Sequence, residues 1–155
     1  KLYYACVEGI MDENDILNQK EEIIKLFELL FIDESEKKII EMYYANMIEY
    51  CRDGTAILLG AFYQNTLIGF HWGYEISWGG IKRIHSYFIA VNEDYQKMSI
   101  GSQLQNNLEK IAISRGINYI DANCEVHNKK SYEYHLKQGF EIESYRMVKN
   151  LNKID

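Results

Sequence analysis

The chain has 155 residues, of which 47% are hydrophobic, and a formal net charge of −6 at pH 7. This length suits one hydrophobic core, so we predict a single domain over residues 1–155. No apolar run of about 18 residues is present, so no membrane span is expected, and the acidic balance argues against a nucleic-acid partner. The three cysteines form no CxxC pair and the N-terminus lacks a signal-peptide pattern, which favours a cytoplasmic location.

The first third of the chain predicts one strand followed by two helices. Leu2–Val7 alternates its side chains as a strand does. Asn14 or Asp15 is a suitable N-cap for the first helix. The second helix keeps apolar residues at helical spacing until Asp53-Gly54 ends it.

The middle of the chain changes to the period of strands. Ala56–Tyr63, Leu67–Ser77 and Arg83–Val91 are rich in β-branched and aromatic residues. The turns between these three segments are short. Short turns join antiparallel neighbours, so the three segments predict an antiparallel meander.

The last third alternates helices with strands. A helix over about residues 102–115 precedes a strand at Tyr119–Cys124, and a shorter helix at Asn128–Gln138 precedes final strands at Phe140–Ser144 and Arg146–Leu151. A strand-helix-strand crossover implies locally parallel neighbours. We therefore predict an α/β fold with a mixed, mostly antiparallel central sheet, helices on both faces, and the order β-α-α-β-β-β-α-β-α-β-β.

The loop between the third meander strand and the central helix is the most informative segment. A helix N-terminus presents unpaired backbone N–H groups and the positive end of the helix dipole, which together attract a phosphate or pyrophosphate. Gln96 and Lys97 add side-chain donors, and Gly101 permits close approach of the backbone. The loop has neither a Walker nor a dinucleotide-binding glycine pattern.

Two segments together resemble the GNAT superfamily of N-acetyltransferases. In that family a Gln/Arg-x-x-Gly-x-Gly/Ala loop binds the pyrophosphate of coenzyme A, and Gln96–Gly101 occupies that place here. A later family motif has Asn, a small residue three positions on, often Tyr seven positions on, and then Gly-Phe. The corresponding residues here are Asn128, Ser131, His135 and Gly139-Phe140. The order of elements agrees over nearly the whole chain.

The resemblance implies an acetyl-CoA-dependent N-acetyltransferase domain with no metal. Two departures stand out: Ser99 replaces the usual first glycine of the loop, and His135 replaces the usual tyrosine. The last meander strand is implied to supply the oxyanion donor and to pair with the pantetheine arm through the amides of Ile89 and Val91. The residues implied to bind the cofactor are Ile89, Ala90, Val91, Gln96, Lys97, Met98, Ser99, Ile100, Gly101, Ser102, Asn128 and Ser131.

The chemistry needs a base for the amine and an acid for the leaving thiolate. A lysine-like amine is neutral in only roughly one molecule in a thousand at pH 7, and only the neutral form attacks a thioester. Histone-type members carry a glutamate base eleven residues before the loop Gln/Arg, which corresponds to His85 here; bound water is the alternative base. His135 or Tyr134 is the candidate acid. No two histidines have the spacing of metal ligands.

Three functions remain open from the sequence. The first is acetylation of a primary amine of a small cationic molecule or antibiotic, which the acidic charge favours. The second is acetylation of a protein or peptide, as in ribosomal-protein acetyltransferases. The third, from another class, is a non-catalytic CoA-binding sensor, to which the departures at Ser99 and His135 point. A hairpin-like C-terminus is compatible with a homodimer.

Overall fold

The computed structural model describes residues 6–31 and 33–153. It divides into two compact units, Lys1–Asn123 and Cys124–Asp155. The first unit contains β1 Cys6–Ile10, α1 Glu13–Asn18, α2 Lys20–Leu30, α3 Glu34–Lys37, α4 Ile40–Arg52, β2 Ala56–Tyr63, β3 Thr66–Trp78, β4 Ile81–Val91, a 3-10 turn at Glu93–Tyr95, α5 Ile100–Ser114 and β5 Ile120–Ala122. The second contains α6 Lys129–Lys137.

The sheet of the first unit has five strands in the spatial order β1-β2-β3-β4-β5. The pairs from β1 to β4 are antiparallel, whereas β4 and β5 are parallel. The predicted meander corresponds to β2, β3 and β4, and the predicted crossover places α5 between two parallel neighbours. The predicted fold class, a mixed and mostly antiparallel sheet in an α/β fold, is confirmed.

Helices cover both faces of this sheet, as predicted. Along β2, Leu58 packs into the core formed with α2 and α4, while its neighbours Ile57 and Leu59 pack into the core formed with α5. Both faces of the strand are therefore buried, which explains why its sequence is a continuous apolar run. The two cores meet at the sheet and hold β4 between them.

The N-terminal helices differ from the prediction in how they begin and break. Asp12, and not Asn14 or Asp15, is the N-cap of α1, and Asp15 completes a capping box with it. The helix breaks at Gln19. The Gln19 side chain donates from Nε2 to the carbonyl oxygen of Asn65 (2.9 Å) and accepts from the amide of Leu67 (3.0 Å), which ties the helices to the β2–β3 turn.

The ends of the predicted order also differ. The first strand is Cys6–Ile10, whereas most of the predicted Leu2–Val7 lies outside the described residues. The predicted strands Phe140–Ser144 and Arg146–Leu151 are wrong, because residues 140–150 form neither helix nor strand. Alternation marks a segment that suits a strand, but a strand also needs a partner for its backbone N–H and C=O groups. The described residues give these two segments no ladder partner.

Candidate active site

A β-bulge interrupts β4 in its pairing with β3. Ser86 pairs with Gly73 and Phe88 pairs with Trp72, so Tyr87 is an extra residue on β4. A bulge of this kind redirects side chains and locally disrupts pairing. Tyr87 and Phe88 consequently both pack against the core formed with α2 and α4.

Beyond this bulge the far edge of β4 has no strand partner among the described residues. The parallel pairing with β5 ends where Ser86 faces Ala122. The amide of Asn92 donates to the carbonyl oxygen of Ile68 on β3 (2.7 Å). Since successive amides of a strand point to opposite edges, those of Ile89 and Val91 point away from β3, toward the unpaired edge. The two amides predicted to bind the donor therefore lie where a ligand backbone can pair with them.

The loop after β4 is organised by its own hydrogen bonds. The Asn92 side chain accepts from the amide of Asp94 (2.9 Å) and starts the 3-10 turn. Gln96 donates from Nε2 to the carbonyl oxygen of Val91 (3.0 Å), so its side chain braces the loop from within. Lys97 and Met98 are exposed, whereas Ile100 is buried and anchors the start of α5. Gly101 and Ser102 are half-buried in its first turn.

The residue that begins α5 does not cap the helix with its own side chain. Ser99 has a left-handed backbone (φ 60°, ψ 21°) and makes no capping hydrogen bond. The first turn of α5 contains no acidic side chain. A helix N-terminus whose first residue supplies no side-chain cap and whose first turn holds no carboxylate is suited to an anionic group. The residues present thus fit the diphosphate of coenzyme A.

His85 lies on β4 before the bulge, between strands that supply its partners. It pairs in register with Tyr74 of β3 and with Asp121 of β5. The distance from His85 Nδ1 to Asp121 Oδ1 is 2.5 Å. Arg83 Nη1 lies 3.8 Å from the other carboxylate oxygen of Asp121. The predicted base is therefore held by a carboxylate.

Five aromatic side chains next to His85 form a continuous set of ring contacts, here called the aromatic cluster. Its members are Tyr43, Tyr50, Trp72, Tyr74 and Tyr87. Burial raises the pKa of Tyr87 and that of Tyr74. The nearby charge of Asp121 raises the pKa of Tyr74 further. Both phenols consequently stay protonated at neutral pH and can donate a hydrogen bond, but they are not bases.

Trp72 is the buried centre of the aromatic cluster. Its ring centroid lies 5.0 Å from that of Tyr87 and 6.3 Å from that of Tyr50. Its indole Nε1 is buried and has no hydrogen-bond partner in the described chain. Tyr50, by contrast, is 40% exposed. The cluster thus runs from a fully buried indole to an accessible tyrosine.

In the second unit, α6 brings together most of the residues of the later family motif. Asn128 caps the helix by accepting from the amide of Ser131 (3.1 Å). His135 Nδ1 lies 2.7 Å from the carbonyl oxygen of Ser131, which fits donation by an Nδ1–H group. The rings of Tyr134 and Phe140 contact His135 with centroid distances of 5.2 and 5.0 Å. The predicted cofactor role of Asn128 and Ser131 and the predicted acid role of His135 or Tyr134 stay predictions.

Asp121 was not predicted as a site residue. Its signal was an acidic residue between the apolar neighbours Ile120 and Ala122 of a short strand. Which residue of β4 it would face depends on the register of two strands far apart in sequence. The remaining histidines act elsewhere: His71 is fully buried with Nε2 2.7 Å from the hydroxyl oxygen of Ser86, and His127 is exposed.

Residues 6–31 and 33–153 contain neither a metal-ligand cluster nor a membrane-spanning helix. No three histidine, cysteine or acidic side chains there are grouped as metal ligands would be. Across the same described ranges, every helix is too short or too polar to cross a bilayer.

Comparison with known proteins identifies the family. The model of the acetyltransferase (GNAT) family matches residues 22–140, and the chain belongs to this family. No curated protein sequence matches the chain significantly. The resemblance drawn from the loop at Gln96–Gly101 and the motif from Asn128 onward is therefore confirmed at the level of the family.

Solved structures agree with this assignment. The PaiA N-acetyltransferase of Thermoplasma acidophilum, solved with coenzyme A, is 21% identical with a TM-score of 0.76, over 91% of this chain and 93% of that one. The aminoglycoside N-acetyltransferase AAC(6')-Iy, also solved with CoA, is 14% identical with a TM-score of 0.75, over 96% and 97%. The ribosomal-protein-alanine N-acetyltransferase of Brucella melitensis biovar Abortus 2308 is 15% identical with a TM-score of 0.70, over 94% and 100%. At these identities the likeness is one of fold.

Proposed function

We propose that this protein transfers the acetyl group of acetyl-CoA to a primary amine of a small cationic molecule. The observation that carries the proposal is the continuity of two ligand-binding features along one stretch of chain. The unpaired edge of β4 at Ile89 and Val91 leads through a short loop directly to the uncapped start of α5 at Ser99. A ligand with a peptide-like arm and a diphosphate suits this stretch.

The donor-binding residues have distinct tasks. The outward amides of Ile89 and Val91 offer hydrogen bonds to the pantetheine arm, and one of them to the carbonyl oxygen that gains charge during transfer. The backbone from Ser99 to Ser102 offers the positive helix end to the diphosphate. Lys97, exposed in the loop, adds a positive charge. When bound, acetyl-CoA supplies an activated acetyl thioester.

His85 supplies the base. At pH 7 the loss of a proton from a lysine-like ammonium costs about 4–5 kcal/mol, which limits the rate unless a base accepts that proton nearby. The imidazole of His85 is partly exposed. His85 lies on β4, the strand that also carries Ile89 and Val91. A base of this kind typically contributes roughly 100- to 10,000-fold to the rate.

The aromatic cluster beside His85 supports a cationic acceptor. An ammonium group over the face of a tyrosine or tryptophan gains about 0.5–2 kcal/mol, depending on how far it is desolvated. Tyr74 lies 5.3 Å from His85 between ring centroids, so a cation bound at the cluster presents its protons near the imidazole. The net charge of −6 also attracts cations over longer distances.

An acceptor screen tests the proposal. Purified protein with acetyl-CoA is mixed with polyamines, aminoglycosides, lysine-containing peptides and peptides with free N-termini, and released thiol is measured by absorbance. We expect turnover with one of the small polycations and a kcat/KM for it well above that for any peptide. Faster turnover with a peptide would assign the protein to the peptide-acetylating class. Coenzyme A binding without turnover on any amine would indicate the sensor.

A further inference from the structure

His85 and Asp121 form a half-buried pair that the sequence did not reveal. They lie opposite each other on the parallel strands β4 and β5, and their side chains are 12% and 24% exposed. The 2.5 Å contact joins one named nitrogen, Nδ1, to one carboxylate oxygen. A carboxylate at one ring nitrogen determines which nitrogen of a neutral imidazole carries the proton.

The carboxylate of Asp121 is held on its other side as well. Arg83 Nη1 lies 3.8 Å from Oδ2, and the Arg83 guanidinium lies 5.4 Å from the centroid of the Tyr119 ring. One carboxylate oxygen of Asp121 thus faces the imidazole of His85. The other faces the guanidinium of Arg83, which lies over the ring of Tyr119. This arrangement fixes the direction in which Oδ1 points.

The opposite nitrogen of the imidazole is available. In the described part of the chain, Nε2 of His85 has no hydrogen-bond partner. The ring is contacted by Tyr74 at 5.3 Å and by Tyr87 at 6.2 Å between centroids. His85 is therefore held by the contact of Nδ1 with Asp121 and by ring contacts with Tyr74 and Tyr87. Nε2 is left for a ligand.

We propose that Asp121 is a positioning residue for acetyl transfer, a role that rests on the function proposed above. Asp121 accepts the Nδ1–H of His85 and so places the lone pair on Nε2. The acceptor ammonium gives one N–H proton to Nε2, which becomes an imidazolium. The neutral amine then forms the C–N bond as the C–S bond breaks. The nitrogen loses its second N–H proton, which passes to the thiolate, and His85 releases the first to solvent, so one proton is released per turnover.

Histidine nitrogen shifts test this role without any turnover. Long-range proton–nitrogen spectra of histidine-labelled protein, recorded at about pH 8.5 where ordinary histidines are neutral, distinguish the two tautomers. His85→Gln assigns the signal. In the wild type we expect Nδ1 protonated and Nε2 bare. In Asp121→Asn, whose amide both donates and accepts, we expect this preference to be lost.

Kinetics on the same variants complete the test. Asp121→Asn should lower kcat roughly tenfold or more while the KM for acetyl-CoA stays near the wild-type value, since only the proton acceptor is affected. Asp53→Asn is the matched control, because that carboxylate accepts from Thr55 at the end of α4 and does not touch His85. It should leave both the tautomer and kcat unchanged.

The outcomes separate this role from the proposed function. A wild-type His85 with its proton on Nε2 would overturn the role of Asp121 even if Asp121→Asn does not fold. So would an Asp121→Asn protein that loses the tautomer preference but keeps the wild-type kcat. If the expected tautomer is found but no amine in the screen supports thiol release, the acetyl-transfer proposal fails while the contact stands.

Discussion

Two helix starts in the first unit are built in opposite ways. At α1, Asp12 and Asp15 form a capping box, and Glu13 adds a second acidic side chain to the first turn. At α5, Ser99 makes no capping hydrogen bond, adopts a left-handed backbone, and precedes a first turn without acidic residues. Natural helices usually satisfy their first amides with side chains. In the proposed function the start of α5 binds a ligand, whereas the capping box of α1 stabilises the fold.

The largest effect, on the affinity for coenzyme A, is expected when the start of α5 receives an acidic cap residue like that of α1. Ser99→Asp places a carboxylate at the helix start, where it favours the helix but repels a diphosphate. We expect the affinity for coenzyme A to fall by at least about tenfold, or about 1.4 kcal/mol, by titration calorimetry, with no loss of thermal stability. Ser99→Asn, which is similar in size and uncharged, is the control and should weaken binding less. Equal losses in both variants would contradict the electrostatic explanation.

The converse change removes the cap of α1. Asp12→Ala should destabilise the protein by about 1 kcal/mol, which corresponds to roughly 2–4 °C in Tm, because the amide of Asp15 loses its acceptor. Thermal unfolding followed by circular dichroism measures this effect. The affinity for coenzyme A should not change. A drop in affinity as large as that of Ser99→Asp would show that the two helix starts are not independent.

A smaller effect is expected from relieving the backbone at α5. Ser99 has φ 60°, a region that suits glycine better than residues with a Cβ atom. Ser99→Gly removes that strain but adds chain entropy to the unfolded state, so we expect a net stabilisation of about 0.5 kcal/mol. Coenzyme A affinity should stay the same or rise slightly. A clear loss of affinity would mean that the Ser99 side chain itself binds the ligand.

The smallest effect concerns the exposed ion pair at α1. The hydrogen bond from Arg52 lowers the pKa of the Glu13 carboxyl below its ordinary value of 4.5. A lowered carboxyl pKa contributes stability above the unfolded value, and that stability is lost as pH falls through the folded value. The Tm difference between wild type and Glu13→Gln should therefore be small at neutral pH and vanish only as the pH falls through the lowered pKa of Glu13, below 4.5. A difference that grows in acid would contradict this sign.

The sequence predicted what depends on local pattern. The bounds of β2 at Ala56–Tyr63 match the prediction, because a buried strand is a continuous apolar run between turn residues. The loop that precedes α5 was also recognised, since its residue types and spacing are those of a known family. Structural features that depend only on residues close together in the sequence could therefore be predicted.

What the sequence did not predict depends on contacts between distant segments. Asp121 faces His85 only because of the register between β4 and β5. Phe140–Ser144 alternates as a strand does, but alternation does not create a pairing partner. Asp12 was passed over as a cap because Asn14 and Asp15 are equally good cap residues by type. The bulge at Tyr87 likewise has no local signature.

The most direct test follows individual amides during a titration with coenzyme A. In proton–nitrogen spectra of the uniformly labelled protein, we expect the largest shift changes at Ile89 and Val91 and from Ser99 to Ser102, with little change at α1. Saturable binding whose largest changes fall elsewhere, or no change at all at millimolar coenzyme A, would contradict the assignment of the α5 start as the diphosphate site.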